Sequence, residues 1–466
     1  DPQAFLALSA FNGADANSNY MCISSQNPLD VNKDYFPANT RVAVDGAIAG
    51  TATVTVAGDF SITYHKYFKV VKNLQTDPVK TYILRICGSD APTKYPDGTA
   101  IEAGAKHFSV PVKGVGIGGS TPSAFLEPLD LLDEVKLADV TYAHSPCLHA
   151  AQVAGDITQE SANFASKAAS ETSVELVLTD KWNTGTCNCD KDVVFDASGD
   201  DTPLGRAEWI KFLATFFNEE DRANLVFSRE KSAYDATKAL AAAAAALYEL
   251  TKAKKKCAWV NGLKVDMAPY KNTYCTDASM EPFSVTPDAG KTFKTYGSKA
   301  DLATALADVD VIIDETYGNG DPATDFPDKA SVLSNLGITL KEGAVLLRED
   351  KEVHDTGSMH NYAWAENAIA RPAHVLQGLV HAVWPNSVKA IPDSCIDYFR
   401  DMTAGEAVRE IDHTHCTTWD NANAESQCIT NILSDGEMAA LRDSPAAKPS
   451  FIVAILVALV VAFIGA

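Results

Sequence analysis

The sequence predicts an α/β fold in which two lobes are joined by a long rigid helix, flanked by an N-terminal β region and an apolar C-terminal helix. Three observations predict it. Residues 202–256 read as almost unbroken helix. The regions on either side alternate short apolar runs with segments of helical period, the rhythm of parallel strands linked by right-handed crossovers. Residues 1–105 instead carry β-type alternation punctuated by Gly, Asn and Asp.

Within 1–105, Arg41–Phe60 alternates, Ile62–Val71 is aromatic and branched, and TYILRIC occupies Thr81–Cys87. Residues 106–201 form the first α/β lobe. Its expected elements are a strand over Val110–Ile117, an amphipathic helix over Ser123–Glu134 and a strand over Asp139–Ala143. A helix near Leu148–Gly155, a helical stretch at Ser161–Ser170, and strands at Val174–Leu178 and Val193–Phe195 complete it.

The connecting segment spans 202–256. Thr202-Pro203 supplies a start signal, because proline is favoured at the first helical position. Trp209, Phe212, Leu213, Phe216 and Phe217 then mark one apolar face. Asn218 with Asp221 offers a second cap, Ala241–Ala246 is a strong helix-forming run, and Lys254–Lys256 suits a helix C-terminus. Residues 257–438 form the second lobe. Strands are expected at Cys257–Val260, Val311–Ile313 and Ala344–Leu347, and helices at Ala300–Asp308, Lys329–Leu336 and Tyr362–Val383, the last interrupted by Arg371-Pro372. Residues 439–450 read as a polar stalk, and 451–466 as a membrane anchor or the signal for a lipid anchor. Sixteen helical residues reach roughly 24 Å, short of the ~30 Å hydrocarbon core but workable.

The chain has 466 residues and a formal charge of −22, with only Lys254–Lys256 as a basic run. Nucleic acid is therefore a poor partner, since its recognition needs a basic surface. Ten scattered cysteines without a CxxC pair favour disulfides in an oxidising compartment over a zinc knuckle. Cys22–Cys87 and bridges within Cys395–Cys428 are the expected pairings, with Cys187 and Cys189 bridging outward to different partners. A chain that starts at Asp1 without a methionine is what a secreted protein with its signal peptide removed would show. The expected location is the cell surface or another extracytoplasmic compartment, membrane-anchored.

Ligands of open α/β sheets sit beyond the carboxyl ends of the strands. That rule selects Ser120, Thr121, Tyr142, Ser145 and Trp182 in the first lobe. In the second it selects Tyr270, Asp314, Glu315, Tyr317, Arg348 and Trp364. Aromatic rings suit flat chelates, and Arg suits carboxylates or anionic siderophores. Asp314-Glu315, directly after an apolar run, is expected at a solvent-facing mouth. His354 and His360 read as a polar loop rather than metal ligands. No GxSxG elbow, P-loop or strand-following GxGxxG supports catalysis, and binding without catalysis is expected.

Four blocks carry a family resemblance: TYILRICGSDAP (81–92), SPCLHAAQVAGDI (145–157), AEWIKFLATFFNEEDRANLVF (207–227) and YAWAENAIARPAHVLQGLVHAVWP (362–385). Over roughly residues 80–400 the chain resembles the helical-backbone (class III) periplasmic binding proteins, and most nearly the periplasmic-binding-like proteins of diatoms and related eukaryotic algae. The resemblance implies two Rossmann-like lobes joined by one rigid helix, with small lobe motion and a ligand held between them. It implies a membrane-tethered substrate-binding protein in iron-complex uptake and transport, with no intrinsic cofactor. Its cargo would be a ferric chelate such as a siderophore, haem or cobalamin. A transporter or other surface partner would receive it. The alternative reading is a structural or adhesive surface protein that keeps the fold without a ligand.

Overall fold

The computed structural model describes residues 22–24, 28–36, 51–179, 186–318, 320–357, 359–385 and 396–416. The chain divides into two compact units. Unit 1 holds residues up to Asp200, Leu204–Arg229 and the segment from His413, while unit 2 holds Asp201–Pro203 and Glu230–Asp412.

Unit 1 contains two sheets. The first pairs β1 (Phe60–Tyr64), β2 (Phe68–Asn73), β3 (Lys80–Ile86) and β4 (Lys106–Val110) in sequential order, antiparallel except for the parallel pair β3–β4. The second is parallel throughout, in the order β7-β6-β5-β8-β9, from β5 (Val115–Ile117), β6 (Val135–Ala138), β7 (Thr158–Gln159), β8 (Leu176–Thr179) and β9 (Asp192–Val194). Its helices are α1 (Ser123–Leu126), α2 (Pro146–Ala154), α3 (Phe164–Ser170) and α4 (Pro203–Ala214). The chain builds outward from β5 on one side through β6 and β7, then returns to its other side with β8. That reversal places a switch point at the carboxyl ends of β5 and β8, where open α/β sheets hold ligands.

Trp209, Phe212, Leu213, Phe216 and Phe217, the apolar face read from the sequence, are all buried. Trp209 and Phe212 pack against Phe60, and Phe216 packs edge-on to Tyr82 and Phe108. Glu208 on the same helix is fully buried and accepts the backbone N–H groups of Thr55, Val56 and Ala57 at 2.6–2.8 Å. Lys211 balances its charge at 2.7 Å.

The long segment is not one helix. Helix α4 stops at Ala214, and α5 (Glu220–Glu249) restarts six residues later. Asn218 adopts a left-handed φ of 59° in the break. Buried Lys69, from β2, donates to the Thr215 carbonyl at 2.8 Å and the Asn218 side chain at 2.7 Å, and pairs with Glu220. Asn218 thus serves the lysine through its side-chain oxygen. The helix also ends before the lysines: Lys256 opens the next strand, and Lys255 donates to the Val383 carbonyl at 3.0 Å.

Unit 2 is built on β10 (Lys256–Asn261), β11 (Lys264–Asp266), β12 (Glu281–Pro282), β13 (Phe293–Thr295), β14 (Val311–Asp314), β15 (Val345–Arg348) and a later strand, Arg400–Asp401. The path runs β13-β11-β10-β14-β15 and then Arg400–Asp401, with β10, β14 and β15 parallel. Both faces of these parallel strands are covered, so Val311–Ile313 reads as a continuous apolar run, and all four residues of Val311–Asp314 are buried. Around them lie α6 (Pro269–Asp277), α7 (Lys299–Leu306), α8 (Pro322–Asp325) and α9 (Lys329–Leu336). Leu302, Leu306, Val332 and Leu336 from two of these helices join Ala258, Val260, Ile312 and Leu346 in one apolar cluster. A small sheet follows, β17-β16-β19, from β16 (Glu352–Asp355), β17 (His360–Tyr362) and β19 (Arg409–Ile411), with Arg400–Asp401 taking the label β18. Helices α10 (Ala363–Glu366) and α11 (Pro372–Val383) complete the unit.

Several expectations are corrected. The strand expected over Val110–Ile117 is two strands in different sheets, because Pro111 interrupts the ladder. The helix expected over Ser123–Glu134 ends at Leu126, since Pro128 lacks the N–H that would extend it, and Leu132–Glu134 is a separate 3₁₀ turn. Asp139–Ala143 is loop, with the strand lying just before it at Val135–Ala138. Cys187 and Cys189 bond each other rather than reaching outward, and Cys416 bonds Cys147 rather than a neighbour. Cys22–Cys87 and Cys257–Cys275 are formed. Cys395, Cys428, the stalk and Phe451–Ala466 lie outside the described residues. Among the described residues no helix is long and apolar enough to cross a membrane.

Candidate ligand site at the strand ends of unit 2

The register across β10, β14 and β15 aligns Val260, Asp314 and Arg348 at one sheet edge. Asp314 and Arg348 face each other across that row and form an ion pair. Arg348 also donates through Nε to Asp350 at 2.7 Å and through its remaining nitrogen to the Thr316 carbonyl at 2.9 Å. Arg400 donates twice to the same Asp350 carboxylate, at 2.8 Å each, and to the Phe326 carbonyl at 2.9 Å. The Phe326 ring lies 3.7 Å from the Arg348 guanidinium. All four charged groups are essentially inaccessible. Burial opposes the Arg348 charge, but Asp314 and Asp350 outweigh it, so its pKa is raised.

A second network adjoins the first. Lys271, on α6, pairs with Glu315 and, at 2.9 Å, with Asp266. Burial opposes its charge too, and Glu315, Tyr270, Glu349 and Asp266 overcome it. Glu349 is buried beside Glu315, and its Oε1 has no hydrogen-bond partner. Burial and then the Glu315 carboxylate raise its pKa well above the usual carboxylate range. A carboxyl in that setting holds its proton and presents a neutral face.

Aromatic rings cover this charged edge. Trp259 and Trp364 stack with centroids 5.3 Å apart and planes 28° apart, and both meet Phe399. Tyr317 stacks on Tyr362 at 4.9 Å and 13°, Tyr362 being buried while Tyr317 is 58% exposed. Thr316, donating to Asp314 at 2.6 Å and accepting from Gly262 N at 2.8 Å, fixes the loop that presents Tyr317. One ring of the pair is anchored and the other offers a free face.

The unit 2 residues selected from sequence, Asp314, Glu315, Tyr317, Arg348, Tyr270 and Trp364, are gathered by these networks and rings. The expected solvent-facing mouth at Asp314-Glu315 is corrected: Asp314 is inaccessible and Glu315 nearly so, because Arg348 and Lys271 neutralise them inside. Arg348 spends its donors internally. Tyr270 and Trp364 are half-buried, Tyr270 lying edge-on to Tyr274. Lys271, Glu349, Arg400 and Tyr362 were missed. The run Arg348-Glu349-Asp350-Lys351, four charges directly after an apolar strand, was the available signal.

In unit 1, Ser120 and Thr121 follow β5 and are half-buried, and the Ser120 carbonyl accepts the Ser123 hydroxyl at 2.7 Å. Tyr142 is exposed. Ser145 is inaccessible: it caps α2, accepting from Leu148 N at 3.0 Å, and donates to Glu127. Trp182 lies outside the described residues.

No protein-family model matches the chain, and no curated protein matches it. Among solved structures, a periplasmic haem-binding protein from Pseudomonas aeruginosa aligns at 14% identity and TM-score 0.41, over 64% of this chain and 99% of that one. A periplasmic binding protein from Veillonella parvula aligns at 11% identity and TM-score 0.41, over 70% and 98%. The siderophore-binding protein BauB, bound to a complex of two acinetobactin molecules and ferric iron, aligns at 13% identity and TM-score 0.37, over 58% and 91%.

Proposed function

We propose that this chain is an extracytoplasmic substrate-binding protein that captures an iron complex, a ferric siderophore or haem, at the strand edge of unit 2. The observation that carries the reading is the exposed Tyr317 ring seated on buried Tyr362, beside strand-end charges already neutralised within the fold. A flat or aromatic chelate gains from stacking on such a ring. It meets no uncompensated charge beneath it, so its desolvation is not opposed by a second one. The four sequence blocks resembling class III binding proteins support the same role, as does the disulfide set for an oxidising compartment. The apolar run Phe451–Ala466 supports membrane tethering, with delivery to a transporter or another surface partner. Binding without chemistry is the proposed activity.

Titration with haem and with ferric siderophores, followed by tryptophan fluorescence and iron analysis, tests the proposal. One equivalent of an iron complex is expected. Tyr317→Ala is expected to weaken it by about tenfold, from stacking worth about 0.5–1.5 kcal/mol plus lost contact area. No binding of any iron complex, or an affinity indifferent to Tyr317, would refute the site and favour an adhesive role.

A further inference from the structure

We propose that Asp321, His360 and Glu410 form a binding site for a divalent first-row transition metal ion. Their ligand atoms, one imidazole nitrogen and two carboxylate oxygens, lie within 4.8 Å of one another. Three separate elements deliver them: Asp321 is the N-cap of α8, His360 opens β17 and Glu410 is the middle residue of β19.

The sheet register explains the meeting. On β16, Val353 is paired with Glu410 and Asp355 with His360. Residues two apart on a strand share a face, and directly paired residues point the same way. His360 and Glu410 therefore stand on one face of the small sheet, as does Asp355, whose Oδ1 is 4.0 Å from His360 Nε2. Asp355 adds a further carboxylate beside the imidazole, too distant for a direct hydrogen bond to it.

The charge balance calls for a cation. Three carboxylates surround one imidazole, and among the described residues neither Asp321 nor Glu410 pairs with a lysine or arginine. Arg409, the neighbour of Glu410, is spent on Glu352 at 2.7 Å and Asp397 at 2.5 Å. Among the described residues, Asp321 accepts only from its own turn, from Ala323 N at 2.8 Å and the Thr324 hydroxyl. Those bonds aim the carboxylate. Donors about 2.0–2.2 Å from a tetrahedral ion stand roughly 3.4 Å apart, so a small inward movement of these side chains completes the set. One nitrogen with two or three oxygens suits Zn(II), Co(II), Fe(II) or Mn(II). Calcium, which prefers six to eight oxygens, gains nothing from the imidazole. This site stands independently of the iron-complex reading, since it uses none of the Tyr317 contacts.

The test uses the full chain stripped of metal. Co(II) is added and its visible absorption read, and Zn(II) is titrated by calorimetry. One equivalent is expected, with affinity reduced at least tenfold in His360→Ala and in Glu410→Gln. Asp321→Asn, which retains the helix cap, is expected to weaken binding as well. Excess Ca(II) should leave the Co(II) spectrum unchanged. Melting of the metal-free variants checks folding, and Glu410→Gln, at an exposed position, carries the test if His360→Ala fails to fold. Absence of binding, an affinity indifferent to Glu410, or displacement of Co(II) by Ca(II) would overturn the proposal.

Discussion

Asp350 is the position where a single substitution should cost unit 2 most. Its carboxylate accepts one hydrogen bond from Arg348 and two from Arg400, at 2.7–2.8 Å, with all three residues inaccessible to water. In Asp350→Ala, Arg348 keeps Asp314 and the Thr316 carbonyl, but among the described residues Arg400 keeps only the Phe326 carbonyl as a side-chain partner. A buried guanidinium loses its counter-charge, the situation in which breaking one side of a buried pair costs about 3–5 kcal/mol. For a unit of this size each kcal/mol moves the midpoint by about 2–4 °C, so a fall of roughly 6–20 °C is expected. Calorimetry of the full chain measures it, and urea unfolding followed by tryptophan fluorescence, with Trp259, Trp364 and Trp384 in unit 2 and Trp209 in unit 1, provides a second midpoint. The double variant Asp350→Leu/Arg400→Leu, which leaves the Arg348–Asp314 pair in place, should recover much of the loss, because well-packed apolar replacements of buried ion pairs are often neutral or better. A loss under about 1 kcal/mol in Asp350→Ala would mean that water reaches these charges, and the account of a dry, pre-neutralised strand edge would fall.

Glu349, raised by burial and by Glu315, makes the folded chain hold a proton that the unfolded chain releases. The stabilisation is complete below about pH 4.3 and is lost as pH rises through the folded value. Glu349→Gln keeps the neutral shape, so its urea midpoint should match wild type at pH 4 and exceed it at pH 8; a weaker variant at pH 8 refutes this. Asp397 behaves oppositely: burial pushes it up, but the His374 hydrogen bond at 3.2 Å and the charges of Arg409 and Arg371 prevail and hold it at about 2. Its contribution is present above about pH 3.9 and lost as pH falls towards 2, and the stability profile of Asp397→Asn should be flatter across that window. Lys69→Met strands buried Glu220 and should cost unit 1 about 3–5 kcal/mol, largely recovered in Lys69→Met/Glu220→Gln, as denaturant midpoints would show.

Elements whose identity rests on local pattern were legible in the sequence. Val311–Ile313, a short apolar run, and the helix Lys329–Leu336 were both read from the sequence; the structure adds Asp314 to the first and caps the second with Asp328, Ser331 and a left-handed Gly337. Two local failures fall at proline: Pro111 and Pro128 each end an element that the apolar pattern alone would continue. The break at 215–219 was legible only in part, because the group that satisfies it, Lys69, comes from a strand about 150 residues earlier. The site follows the same division. The strand-end rule locates Asp314, Glu315 and Arg348, since strand ends can be read from sequence. Whether a charge faces water or a partner depends on tertiary neighbours such as Arg400 and Lys271, and no spacing in the chain encodes that pairing. His360 and Glu410 meet through a sheet register joining segments fifty residues apart, which periodicity does not report.

The bond between Cys147 and Cys416 spans 269 residues, and Glu230–Asp412 lies wholly inside the loop that it closes. During synthesis at about 5–20 residues per second, the Cys147 thiol would wait roughly 15–55 s for its partner to emerge. Until then unit 1 lacks its last segment, however complete its sheets. Once formed, the link makes the chain tolerant of a cut: a protease that nicks any turn between the two cysteines yields two polypeptides still held as one molecule, separable only by a reductant.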